Sequence, residues 1–467
     1  MFRKDFLWGG AVAAHQIEGG MKDGRGIGVC DVMTGGTKDT PRIITDGIQE
    51  GLFYPNHEAS DFCHHFKEDI ALMGEMGFRC FRTSIAWNRI YPHGDDALPD
   101  EKALQFYDDL FDELHKYGIE PLITLSHFEM PYELTVRYDG WKDRRVIDLF
   151  VRFTKTCLTR YKGKVRYWMT FNEINNQAYY LSDISGWTNS GILFSKQENP
   201  EYAMYLCAHH EFVASALTVI AAHQIDPDNM VGCMVCMDPF YPLTGSPEDI
   251  QTSIEVNHNG RFFFSDVQCR GHYPSYALKL FERKGYDLGM TQEDLQIIEK
   301  GKVDYLGFSY YRSYTVSAQS EDMLSHIVSN PYLKETQWGW EIDPKGLRIT
   351  LEQLNDRYEM PLFIVENGYG AIDVLEDGKV HDPYRVEYLK SHIEQMKLAV
   401  DIDGVDLMGY TVWGCIDVVS FTTGEFRKRY GFVYVDRNDD GTGDFSRYIK
   451  DSFYWYKKVI ASNGEVL

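Results

Sequence analysis

Two glutamates could carry glycosidic-bond chemistry in this chain. Glu173 closes the apolar run YWMTFNE, Glu366 closes LFIVE, and each has an asparagine beside it. A single glutamate at a strand end is ordinarily a surface charge or a partner for the N–H groups of a helix start. Two of them, both flanked by asparagine and separated by three strand–helix units, form a pair of the kind that glycoside cleavage requires. One carboxyl protonates the leaving oxygen while the other attacks the anomeric carbon or activates water. The acid keeps its proton near neutrality in an apolar or anion-rich setting, whereas its partner stays ionised beside a cation or a hydroxyl. Arg82 in FRCFRTSI and Tyr311 in DYLGFSYY suit the second task for Glu366, or either could be a structural residue of the mouth.

The elements that position these groups follow one pattern. Strand-like runs at 6–13, 78–85, 120–127, 167–173, 229–237, 304–311, 361–367 and 407–414 alternate with amphipathic helical runs such as 61–76, 102–117, 144–161, 201–223, 348–358 and 384–400. Several strands are near-continuous apolar runs, as in parallel sheets covered on both faces. Eight such units predict an α/β chain whose residues 1–467 form a single (β/α)8 TIM barrel with elaborated βα loops. Barrel enzymes work at the carboxyl ends of their strands, where His127, Asn172, Glu173, Tyr311, Glu366 and Trp413 all fall.

Composition narrows the partners. The 467 residues carry a formal charge of −23, which argues against nucleic acid or an anionic membrane and requires a local cationic pocket for any anion bound. No run approaches 18 consecutive apolar residues, so no spanning helix is expected, and the N-terminal run reads as a strand more than a leader. Nine scattered cysteines suit reduced thiols in the cytoplasm. The spacing of CMVC at 233–236 resembles a metal site, but residues three apart on a strand face opposite ways. DRNDDG at 436–441 starts like a calcium loop yet has Arg447 where a bidentate glutamate is needed. The paired histidines 64–65 and 209–210 fit structural roles, and GRGIG opens no helix. No metal and no cofactor is expected.

The segments FLWGGAVAAHQIEGG, LSHFEMP, TFNEINN, DYLGFSYY and IVENGYG, with the C-terminal block, resemble glycoside hydrolase family one across essentially the whole chain. The resemblance implies a general acid/base at Glu173 and a nucleophile at Glu366, held by Arg82 and Tyr311. It also implies sugar-hydroxyl contacts from Gln16, His127 and Asn172, and a stacking platform at Trp413.

One departure from the family pattern is informative. Glucosidases of this family usually continue W-S-L-L-D-N-F-E-W, whereas this chain reads WGCIDVVSF, with Ser420 in place of the glutamate and Phe421 in place of the tryptophan. A carboxylate there would repel a 6-phosphate, while Ser420, Lys428 and Tyr430 offer donors to one. The arrangement is similar to the phosphate loop of 6-phospho-β-glycosidases, and Phe421 leans toward the gluco configuration. The expectation is retaining hydrolysis of 6-phospho-β-D-glucosides to glucose 6-phosphate and an alcohol or sugar. The alternatives are a β-glucosidase, a 6-phospho-β-galactosidase or, more distantly, a non-catalytic sugar-phosphate-binding barrel. Trp338 and Trp340 either line the aglycone side or pack the lip. Oligomeric state is not legible.

Overall fold

The computed structural model describes residues 1–320 and 326–467. Eight strands build the centre: Leu7–Ala11 (β1), Cys80–Ser84 (β2), Glu120–Ser126 (β3), Tyr167–Phe171 (β4), Met230–Cys236 (β5), Tyr305–Ser309 (β6), Leu362–Asn367 (β7) and Leu407–Trp413 (β8). Each pairs in parallel with its sequence neighbour, and β8 closes against β1 in the register Leu7 to Gly409 through Ala11 to Trp413. All eight fall inside the runs expected from the sequence.

The barrel is solid. Cys80, Leu122, Met169, Met234, Tyr305, Phe363, Val365 and Met408 form a buried cluster of their own inside it, as barrel interiors filled by side chains require. The main core lies outside, between the strands and eight helices: Phe62–Met76 (α1), Glu101–Lys116 (α2), Arg145–Arg160 (α3), Pro200–Ile225 (α4), Phe263–Arg270 (α5), Pro344–Tyr358 (α6), Pro383–Asp401 (α7) and Asp451–Ala461 (α8). Side-chain caps fix where several of these begin. Asp100 accepts the backbone N–H groups of Lys102 and Ala103 at the start of α2, and Asn199 accepts that of Tyr202 at α4, just ahead of Pro200. Helix α4 has the length and hydropathy of a membrane span, but 83% of its most apolar window is buried inside the fold. A helix apolar on all sides is a core helix in such a setting.

Candidate active site

Glu366 reaches the barrel mouth through an irregularity in its strand. Phe363 and Val365 both point into the interior cluster, so strict alternation would turn Glu366 outward. The register against β6 passes from Ile364–Phe308 directly to Glu366–Ser309. Two residues of β7 therefore oppose one of β6, a bulge that re-aims the next side chain. Glu173 arrives by a different device. It lies just past β4 with φ +39°, a left-handed conformation uncommon outside glycine and concentrated at functional sites. Asn189 holds its carbonyl at 3.0 Å.

The two carboxyls have unlike surroundings. Glu366 accepts from the Arg82 guanidinium through one oxygen and from the Tyr311 hydroxyl, at 2.8 Å, through the other. Arg82 also donates to Asn172 at 2.6 Å and to Thr124 at 3.1 Å, which fixes its plane. Burial raises the Glu366 carboxyl above its usual range, and Arg82 and Tyr311 oppose that rise. Glu173 meets only neutral donors, Ser309 and Asn176. Burial first and the charge on Glu366 second push it up to about 8. One carboxyl is thus shifted toward its protonated form, while the other has a permanent cation that favours its charged form.

Most of the remaining expected residues converge on the same cavity, about 270 Å³, which is bordered by Gln16, His127, Asn172, Tyr311, Trp340, Trp413, Ser420, Phe421 and Tyr430. His127 lies 4.0 Å from Glu366, and burial, then Arg82, drives it well below its ordinary value, so it stays a neutral imidazole. Gln16, in the helical turn Ala14–Ile17 after β1, donates to the Val419 carbonyl at 2.7 Å in the loop after β8. Phe421 stacks on Phe128 with centroids 4.8 Å apart.

Lys428 and Trp338 depart from the sequence picture. Neither borders the cavity. The Lys428 ammonium sits in the wall, 4.1 Å from the ring centre of Trp340, 5.2 Å from that of Trp338 and 5.8 Å from that of Tyr430. Among the described residues it has no hydrogen bond and no ion pair. Glu425, whose field reaches it, is itself paired with Arg427. Burial pushes the ammonium down to about 7. Trp338 and Trp340 therefore cradle a cation, a role absent from both sequence readings, and Trp340 alone of the two also lines the cavity.

The alternation Lys428–Arg429–Tyr430 follows from what holds Arg429. Its backbone exchanges both hydrogen bonds with Ala371 at 2.9 Å, and its guanidinium turns the other way, to Asp417 at 3.1 Å. There it joins a buried network in which Arg385 and Lys450 engage Asp373, Asp382 and Asp417. That network matches three cations with three carboxylates. Lys428, on the opposite side of the same chain segment, has no such match among the described residues.

The sequence reading missed several lining residues: Phe128, Asn176, Cys236, Asp238, Arg312, Tyr314 and Thr422. Asp238 was visible as the acid just after β5. It accepts the Tyr311 N–H at 3.1 Å, and burial raises it to about 6. Cys233 faces away from the cavity, 3.8 Å from Cys269, while Cys236 faces into it, so the CMVC spacing makes no joint site.

A closed eight-stranded barrel with one carboxyl among neutral donors and another on a guanidinium at its carboxyl-terminal mouth has the anatomy of a glycoside-cleaving enzyme. The Glycosyl hydrolase family 1 model matches residues 1–465, and the chain belongs to that family. It is 58% identical to aryl-phospho-β-D-glucosidase BglA of Bacillus subtilis (strain 168), over 99% of each chain. It is 48% identical to a 6-phospho-β-glucosidase of Clostridium longisporum, over 100% of this chain and 98% of the other. Among solved structures, a family 1 β-glucosidase of Thermotoga maritima superimposes with a TM-score of 0.84 at 30% identity, covering 99% of this chain and 98% of that one.

Proposed function

We propose that this chain hydrolyses 6-phospho-β-D-glucosides with retention, releasing glucose 6-phosphate. The observation that carries the reading is Lys428: a buried ammonium with no carboxylate paired to it among the described residues, in a protein of net charge −23, beside the cavity that holds Ser420 and Tyr430. A buried cation left uncompensated is costly unless an anion completes it. The names of relatives 58% and 48% identical support the same substrate class. Glu366 attacks the anomeric carbon, and Glu173 gives its proton to the leaving oxygen. Glu173 then takes a proton from the water that releases the sugar. Gln16, His127 and Asn172 hold sugar hydroxyls, Trp413 supplies the stacking face, and Ser420, Tyr430 and Lys428 take the phosphate. Phe421, stacked on Phe128 where a tryptophan would be larger, supports gluco over galacto selection. Trp340 is the aromatic group available to the aglycone. A dianionic sugar does not cross membranes unaided, and all nine cysteines are free thiols. Both points support a cytoplasmic site of action.

The test compares kcat/KM for an aryl 6-phospho-β-glucoside with that for the unphosphorylated aryl β-glucoside. A strong preference for the first is expected; equal values, or the reverse, would replace the proposal with an ordinary β-glucosidase.

The pH profile gives a separate prediction. The acid must be protonated in free enzyme, so kcat/KM is lost as pH rises through the Glu173 value, about 8. Measured on the neutral glucoside, where no phosphate titrates, the alkaline limb should lie near pH 8 and disappear in Glu173→Gln. An unaltered limb in that variant would assign it to another group.

A further inference from the structure

The turn that carries Ser420 is gripped by a loop far away in sequence. Residues 32–45, in the connection between β1 and α1, form a small hairpin in which Thr34 and Ile43, and Val32 and Thr45, are joined through their backbones. Two of its groups reach the turn. The Gly36 N–H donates to the Thr423 carbonyl at 2.8 Å, and the Arg42 guanidinium donates to the Phe421 carbonyl at 2.9 Å. The turn is closed internally by Gly424 N–H to the Ser420 carbonyl, at 2.8 Å, and by Ser420 N–H to the Glu425 carbonyl, at 3.0 Å. Gly424 has φ +73°, and a Cβ there would stand 3.1 Å from both Arg42 Nε and Gly35 Cα. Only a glycine allows so close an approach without displacement.

Arg42 is an unusual residue to find in that place. It is 4% exposed, and its other donors go to the carbonyls of Thr34 and Met33 and to the side-chain oxygen of Asn56. All four acceptors are neutral. A guanidinium forks between acceptors in a fixed plane, so it sets the distance between hairpin and turn as a lysine would not. The Ser420 hydroxyl is meanwhile oriented by Thr423, which donates to it at 3.0 Å, and Thr422 lines the cavity beside it.

We infer that Arg42 is a positioning residue for phosphate recognition: by fixing the Phe421 carbonyl it holds the Ser420–Gly424 turn where Ser420 and Thr422 can donate to the 6-phosphate. This rests on the proposed substrate class. Arg42 acts through the turn, whose Phe421 carbonyl it holds.

The test is steady-state kinetics of Arg42→Gln and Arg42→Lys on the aryl 6-phospho-β-glucoside and on its unphosphorylated counterpart, with Lys428→Met as reference. Loss of charged hydrogen bonding of this kind is worth about 10-fold or more. Arg42→Gln should raise KM for the phosphorylated substrate by at least that factor and change kcat less, so the phospho-to-neutral ratio of kcat/KM falls. Arg42→Lys should fall between wild type and Arg42→Gln, and it gives the same reading should the glutamine variant not fold. A general structural defect would lower both substrates alike and leave the ratio unmoved, which would overturn the inference. If the ratio survives both Arg42 variants but collapses in Lys428→Met, the phosphate reading stands without Arg42. If it survives Lys428→Met as well, the phosphate reading itself fails.

Discussion

Glu366→Ala should abolish turnover, with kcat falling by roughly 10⁶-fold, the scale on which loss of a covalent nucleophile registers in other hydrolases. The geometry predicts more than a loss. Arg82 and Tyr311 would lose the anion they now hold and face a cavity the size of the missing carboxylate. A small anion such as azide should enter that space, attack from the vacated face and yield an α-glycosyl azide. Glu173→Ala should behave differently, losing about 10²- to 10⁴-fold on poor leaving groups and much less on good ones, which need little proton donation. Azide would then replace water in the second step and yield a β-glycosyl azide. Proton NMR of the products decides the matter: the opposite pair of anomers would exchange the two roles, and an inverted first product from wild-type enzyme would exclude the double displacement.

Both carboxylates were legible because each closes an apolar strand, and strand ends are what an eight-fold repeat displays most clearly. The devices that aim them were not legible. Nothing in LFIVEN announces a bulge between Ile364 and Glu366, since bulges arise from register against neighbours that a single sequence does not reveal. The left-handed φ of Glu173 is likewise set by Asn189 and the loop it belongs to. Helices α1 to α4, α6 and α7 stood out through their length or apolar spacing. Helix α5 was hidden in the long β5–β6 connection because it has only eight residues and opens on two phenylalanines directly after Phe262, a pattern without clear period. Arg42, in the polar stretch TKDTPRIITDG, carries no signal at all: its significance lies in a turn that begins 378 residues further along.

The sequence reading gave Lys428 and Tyr430 as donors to a phosphate and put Lys428 directly in the cleft. In the structure its ammonium lies on Trp340 and Trp338. Cation–aromatic contact stabilises a desolvated ammonium by about 2 kcal/mol or more, but it brings no opposite charge as a phosphate dianion would. The two tryptophans thus keep the cation beside the cavity without supplying the opposite charge that would switch it off.

Replacing Lys428 by alanine should accordingly cost about 1.5–3 kcal/mol in use of the phosphorylated substrate, roughly 10- to 150-fold in kcat/KM, with little effect on the neutral glucoside. The wild-type pH dependence should carry the same signature. Burial holds the free ammonium down to about 7, so above neutrality the group has lost its proton and a dianionic ligand must restore it. KM for the phosphorylated substrate should therefore climb as pH rises past 7, and this climb should vanish in Lys428→Ala. Ser420→Glu should be more damaging still, because it adds an anion beside a dianion in a partly dehydrated cavity, where unit charges interact far more strongly than in water. The same change supplies an acceptor for sugar hydroxyls, so activity on the neutral glucoside should hold or rise. The quantity that discriminates is the ratio of the two kcat/KM values, since misfolding lowers both together. A ratio that stays at the wild-type value in Lys428→Ala and Ser420→Glu alike would remove the phosphate from this site and leave a β-glucosidase in its place.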